Sequence, residues 1–235
     1  LGKFMQKSDR ILRIVMSVIL PVAMLFLARE MAYVRAAYVP KENKQCIVID
    51  VGHGGFDPGK VGVTGCLEKD INLQIARKLK VFLEMEGVEV ILTRNEDTGL
   101  YVESDTNKKT TDMKNRVRFV EEYEPQVMVS IHQNSYSDES IKGAQTFYYT
   151  GSTQSKVLAQ YLQASLVNTL DKENHRKEKS NDSYYILKNT SCPSVIVECG
   201  FLSNWDECQK LESDYYQEKV AWAIYMGIIQ YLNTK

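Results

Sequence analysis

Apolar residues come in short runs parted by polar, glycine-bearing stretches, and two periodicities take turns along the chain. Residues 47–49, 88–92, 127–131 and 195–197 are mainly aliphatic runs, interrupted only by Glu89 and Ser130, the pattern of buried strands. Between them the spacing turns helical. Ile71, Ile75, Leu79, Phe82 and Leu83 follow Glu68 at three- and four-residue steps, and Gly87 stops the helix. A helix over 113–123 faces Val117 and Val120 inward and ends before Pro125. Another over 155–170 lines up Leu158, Leu162 and Leu166, and one over 215–232 closes the chain. Residues 144–149 alternate in part, which predicts an antiparallel or edge strand, and 184–187 read as a further short strand. Residues 203–207 have the composition of a helix cap. This alternation predicts an α/β fold: a single twisted, mostly parallel sheet with helices on both faces.

The N-terminus departs from that pattern. Lys3, Lys7, Arg10 and Arg13 precede an apolar run over 14–28 that only Ser17 and Pro21 interrupt. A basic flank before an apolar core predicts a signal peptide or signal-anchor helix over 1–30, with a weak cleavage motif at Val34-Arg35-Ala36. A buried core helix is the alternative. Residues 31–45, with Pro40 and mixed charge, read as a linker, and 46–235 as the folded domain. Either membrane reading puts that domain outside the cytoplasm, secreted or anchored.

Composition narrows the function. With 44% hydrophobic and 25% charged residues, the chain has globular values. A net charge of −1 leaves no electrostatic footprint for nucleic acid. Five cysteines without a CxxC pair read as buried thiols rather than a disulfide framework.

The candidate chemistry sits where strands end. His53 follows the first strand in a Gly52-His53-Gly54-Gly55 turn, whose glycines permit a sharp bend and leave room beside an imidazole. Glu68 opens the first helix. His132 follows the third strand, and Glu198 follows 195–197. Taken singly, His53 could be a turn residue, and Glu68 a first-turn charge favoured by the helix dipole. Yet two of the three histidines occupy equivalent positions, and open α/β sheets bind ligands at the C-terminal strand ends. His175 lies in a charged stretch and reads as solvated. A carboxylate delivered by an apolar strand is costly unless paired or catalytic. Two histidines and a carboxylate form a catalytic zinc set. A further glutamate in reach can carry a proton from water to a leaving amine, a combination suited to amide hydrolysis.

The segments IVIDVGHGGFDPG, GCLEKDINL, LTR (Leu92 to Arg94), VSIHQNS and VIVECGFLSN occur in that order from Cys46 onward. Together they resemble the zinc-dependent N-acetylmuramoyl-L-alanine amidases of the Amidase_3 family. IHQNS, YYILKNTSCPSVIVECGFLSN and the compact layout are most similar to the germination-specific branch in spore formers. The resemblance implies that His53, Glu68 and His132 bind zinc and that Glu198 is the catalytic glutamate. It also implies cleavage of peptidoglycan between the lactyl group of N-acetylmuramic acid and L-Ala, in the spore cortex on the way to muramic-δ-lactam. Val51, where the family usually has Pro, departs from the pattern without touching a proposed ligand. An activating protein partner is left open. Three rival readings meet counter-signals in the residues. GGFDPGKV (residues 54–61) approaches a phosphate-binding loop, but Val61 replaces the Mg²⁺-binding hydroxyl and Asp57 would repel phosphate. Cys66 and Cys199 could bind zinc, but Cys199 should point opposite to Glu198. A degenerate fold that only binds cell wall or a partner would have lost one of the four residues, and all four are present.

Overall fold

The computed structural model describes residues 46–234 and, ahead of them, only Met24. The expected signal or anchor segment and the linker lie outside the described residues. Among the described residues no helix is long and apolar enough to cross a membrane.

Six strands form one sheet in the order β2-β1-β3-β6-β4-β5. They are β1 (Cys46–Val51), β2 (Glu89–Leu92), β3 (Val127–Asn134), β4 (Gln145–Tyr148), β5 (Lys179–Ser180) and β6 (Ser194–Phe201). All neighbours run parallel except β4 against β6. The antiparallel expectation for 144–149 is therefore met, although β5 pairs with the outer side of β4. The helices are α1 (Glu68–Met85), α2 (Lys108–Tyr123), α3 (Thr153–Leu170), α4 (Tyr185–Asn189), α5 (Trp205–Glu212) and α6 (Asp214–Leu232).

Strand alternation sorts the core into two layers. Ile47, Ile49, Val129, Ile131, Val195 and Val197 pack against α1, α3 and α6. Val48, Met128 and Ile196 point the other way and meet Val120 of α2 and Ile186 and Leu187 of α4. Helices thus cover both faces, as the near-continuous apolar strands require.

The chain crosses from β1 to β2 on one side and returns to β3 on the other. That reversal opens a crevice beyond the carboxyl ends of β1 and β3, the place where such sheets bind ligands.

Four local readings change. β3 continues to Asn134 and β6 to Phe201, so His132 and Glu198 lie within strands rather than just after them. Residues 185–189 form a helix, not a strand. With Ile186 and Leu187 buried beside exposed Tyr185, a short apolar run fits either form, and packing on the sheet decides it. Finally, α2 starts at Lys108, earlier than its apolar stripe, because the Asn107 side chain accepts a hydrogen bond from the Thr110 amide and extends the helix through polar residues.

Candidate metal centre

Register assembles the site. Asp50 of β1 pairs with Ser130 of β3, and His132 of β3 pairs with Glu198 of β6. All four share parity with Val48, Met128 and Ile196, so they share the sheet face covered by α2. One step up that face, apolar contact gives way to a polar cluster.

The base of the cluster is a buried ion pair. Arg116 of α2 donates to Asp50 Oδ1 (2.7 Å), and its Nε donates to Asp112 Oδ2 (2.6 Å). Ser130 Oγ donates to Asp50 Oδ2 at 2.5 Å and Thr93 Oγ1 donates to Oδ1 at 3.1 Å. Burial pushes the Asp50 carboxyl upward, but Arg116 and Ser130 outweigh it and hold it below the ordinary value. Arg116 also donates to the Val51 and His53 carbonyls, each at 2.7 Å. Arg94 donates to the carbonyls of Val51 (3.2 Å), Gly52 (3.1 Å) and Lys69 (2.7 Å). Two arginines therefore pin the turn that carries His53. That turn is strained: His53 adopts φ 61°, a left-handed conformation costly for a residue with a Cβ.

The three expected ligands converge. Glu68 Oε1 lies 3.1 Å from His53 Nε2 and 3.0 Å from His132 Nδ1. One donor atom from each of the three residues falls within 4.8 Å of the others. The outer nitrogen of His53, Nδ1, is 3.0 Å from Asp57 Oδ2, which orients the ring. Glu68, as the first residue of α1, is almost fully buried, and its Oε2 accepts from the Lys60 amide at 2.8 Å. The Gln133 amide donates to Oε1 at 3.0 Å. Burial would raise the Glu68 carboxyl; the two imidazoles instead hold it well below the carboxylate range. For His53, burial lowers basicity, and the hydrogen bonds that its ring donates to Asp57 and Glu68 more than offset it, to about 9.

Two glycines make the convergence possible. A Cβ on Gly52 would lie 2.4 Å from the His132 ring. Gly59, at φ 69°, passes so close that a Cβ would sit 2.6 Å from Glu68 Oε2 and 2.7 Å from His53 Cδ2.

Glu198 occupies the same space without a partner. Clefts of about 280 and 360 Å³ share His53, Asp57, Lys109, His132, Tyr184 and Glu198 as walls. Glu198 Oε2 is buried with no hydrogen-bond partner among the described residues. Burial pushes its carboxyl up to about 7. An unsatisfied buried carboxylate oxygen beside three convergent hard and borderline donors is what a divalent cation and its substrate would complete, so the residues present fit a metal ion.

Cys199 belongs to the core of the opposite face, as its position next to Glu198 predicted, and His175 is exposed. Residues 54–61 form no phosphate cradle: the next helix begins only at Glu68, and the Lys60 amide is taken by Glu68. Sequence reasoning missed Asp50, Asp57 and Arg116 as parts of the site. A charged Asp50 inside an apolar strand was the available signal, as was Arg116 one helical turn before inward-facing Val120.

A group of two histidines and a glutamate that could hold a metal ion, at the switch point of a mostly parallel sheet, defines the class, an α/β protein with a metal-competent cleft. The chain belongs to the N-acetylmuramoyl-L-alanine amidase family, whose model matches residues 47–230, and by that membership it is an amidase. The germination-specific N-acetylmuramoyl-L-alanine amidase of Bacillus subtilis is 37% identical over 192 residues, covering 80% of each chain. The CwlD amidase from Clostridioides difficile, solved in complex with the GerS lipoprotein, superposes with a TM-score of 0.79 at 43% identity, covering 81% of this chain and all (100%) of that one. An N-acetylmuramoyl-L-alanine amidase from Clostridium difficile 630 superposes with a TM-score of 0.73 at 32% identity, covering 83% of this chain and 100% of its own.

Proposed function

We propose that this protein hydrolyses the amide joining the lactyl group of N-acetylmuramic acid to L-Ala of the peptidoglycan stem peptide, with zinc held by His53, Glu68 and His132 and with Glu198 as the catalytic glutamate. The observation that carries the reading is the convergence of the three ligand atoms within 4.8 Å beside the unpartnered Glu198 Oε2. Zinc, when bound, supplies Lewis-acid polarisation of a carbonyl oxygen and acidifies a water molecule. The protein's own residues do the rest. Asp57 fixes the His53 ring, while the Lys60 and Gln133 amides fix the Glu68 carboxylate. Glu198, held by a central strand, accepts a proton from the attacking water and returns it to the departing L-Ala nitrogen. A carboxyl raised towards neutrality serves both steps. Tyr184 and Tyr185, with Ile186 and Met113, form an apolar wall of the smaller cleft on which the substrate can rest.

Similarity to the germination-specific amidases supports a role in spore-cortex maturation leading to muramic-δ-lactam, and an extracytoplasmic location. The CwlD complex with a lipoprotein supports a protein partner for this chain as well. The test is incubation of purified peptidoglycan with the protein, measuring free stem peptide and zinc per chain. Zinc near one per chain with L-Ala-terminated peptide release is expected. Absence of peptide release from the zinc-loaded protein would sink the assignment.

A further inference from the structure

A second cluster of reactive side chains lies outside the metal centre. The Sγ atoms of Cys66 and Cys208 are 3.4 Å apart, although 142 positions separate them in sequence. Thr64 Oγ1 is 3.3 Å from Cys208 Sγ. The Gly62 backbone closes over both sulfurs, and a Cβ there would lie 2.5 Å from one and 2.7 Å from the other. Cys66 ends a tight loop in which the Gly62 amide donates to the Cys66 carbonyl (2.8 Å) and Val61 bridges Leu67. Two residues later stands Glu68. Cys208 is buried within α5, the Asn204-capped helix that follows β6.

We propose that Cys66 and Cys208 form an intramolecular disulfide when the folded domain meets an oxidising thiol–disulfide couple, tying the loop that delivers Glu68 to α5. The half-exposed Cys66 reacts first. Its thiolate attacks a small-molecule disulfide such as oxidised glutathione, breaking that S–S bond and releasing one half as a thiol. The Cys208 thiolate then attacks Cys66 Sγ and expels the other half. Two cysteine thiols are oxidised, one external disulfide is reduced to two thiols, and the two cysteine protons end on the departing thiols. The sulfurs need only close from 3.4 Å to about 2.05 Å. A shared metal is the competing use, with Glu212 as a third donor. A cross-link over so long a loop constrains the unfolded chain strongly.

The test uses the full chain kept in dithiothreitol or treated with oxidised glutathione, then denatured, alkylated, digested and analysed by mass spectrometry. A linked Cys66–Cys208 peptide is expected after oxidation, with two fewer alkylated cysteines. The melting temperature should rise by about 5–15 °C and fall back on reduction. Cys66→Ser and Cys208→Ser should each abolish the shift. Full alkylation of both cysteines after oxidation would overturn the proposal. So would glutathione retained on Cys66, a link to Cys46, Cys192 or Cys199, or zinc above one per chain that falls in either serine variant. None of these readouts requires turnover, so the outcome stands apart from the proposed amidase reaction.

Discussion

The roles proposed for Glu198 and His53 within one cleft differ, and single substitutions separate them. Glu198→Gln keeps the shape and one acceptor oxygen but removes the carrier of the proton. It should retain zinc and melting temperature while peptide release falls by about 10²–10⁴-fold. His53→Ala removes a proposed ligand and the residue that Glu68 faces at 3.1 Å. It should lose zinc together with activity. Zinc per chain, melting temperature and peptide release, measured side by side for both variants, check the assignment. Near-normal release by Glu198→Gln would remove it from the reaction, and zinc loss in that variant would make it a ligand.

At the scale of elements, α2 is bound to the sheet by the Arg116–Asp50 pair, and both partners are about 2% exposed. Asp50→Asn leaves a buried guanidinium with only Asp112 as carboxylate partner. Removing one partner of a buried pair costs about 3–5 kcal/mol, and the remaining Asp112 contact puts this case near about 3 kcal/mol. Denaturant unfolding of Asp50→Asn against wild type measures it. The pair also sets an acid limit. The Asp50 carboxyl is depressed in the folded state, so its contribution is fully present above its unfolded value of about 3.9. It is lost as pH falls through the lower folded value. Stability of the wild type should therefore decline below about pH 4, and the Asp50 share of that decline should be missing in Asp50→Asn. An unchanged acid limb in the variant would show that other carboxylates dominate.

For the whole molecule, the centre joins the β1–α1 connection to β3, which are remote in sequence and meet only in the folded domain. A cation that binds there stabilises the entire domain by mass action. Free zinc at about a thousand times its Kd adds about 4 kcal/mol. For a domain of this size that corresponds to a melting temperature higher by about 8–16 °C. Chelation should reverse the shift in wild type and have no effect on His53→Ala, as scanning calorimetry would show.

Much of this architecture was legible in the order of residues. The runs at 47–49, 88–92, 127–131 and 195–197 are apolar but for Glu89 and Ser130, which favours a parallel sheet covered twice, and the 3.6-residue stripes supply the covers. The same pattern placed His53, Glu68, His132 and Glu198 at the rim where such sheets bind ligands. What only the tertiary structure decided is whatever depends on register or on distant partners. Pairing Asp50 with Ser130 and His132 with Glu198 is a matter of which residue stands opposite which, and a shift of one position would have turned each to the other face. Residues 185–189 are helical because their two buried side chains must reach the sheet beside α2, a demand that local propensity does not contain. Arg116 reads as an ordinary helix charge until the turn at His53 brings its carbonyl within 2.7 Å. Cys66 and Cys208 read as separate thiols until the fold sets them in contact. Periodicity records what each segment must bury, whereas contacts between remote segments arise only once those burials are satisfied together.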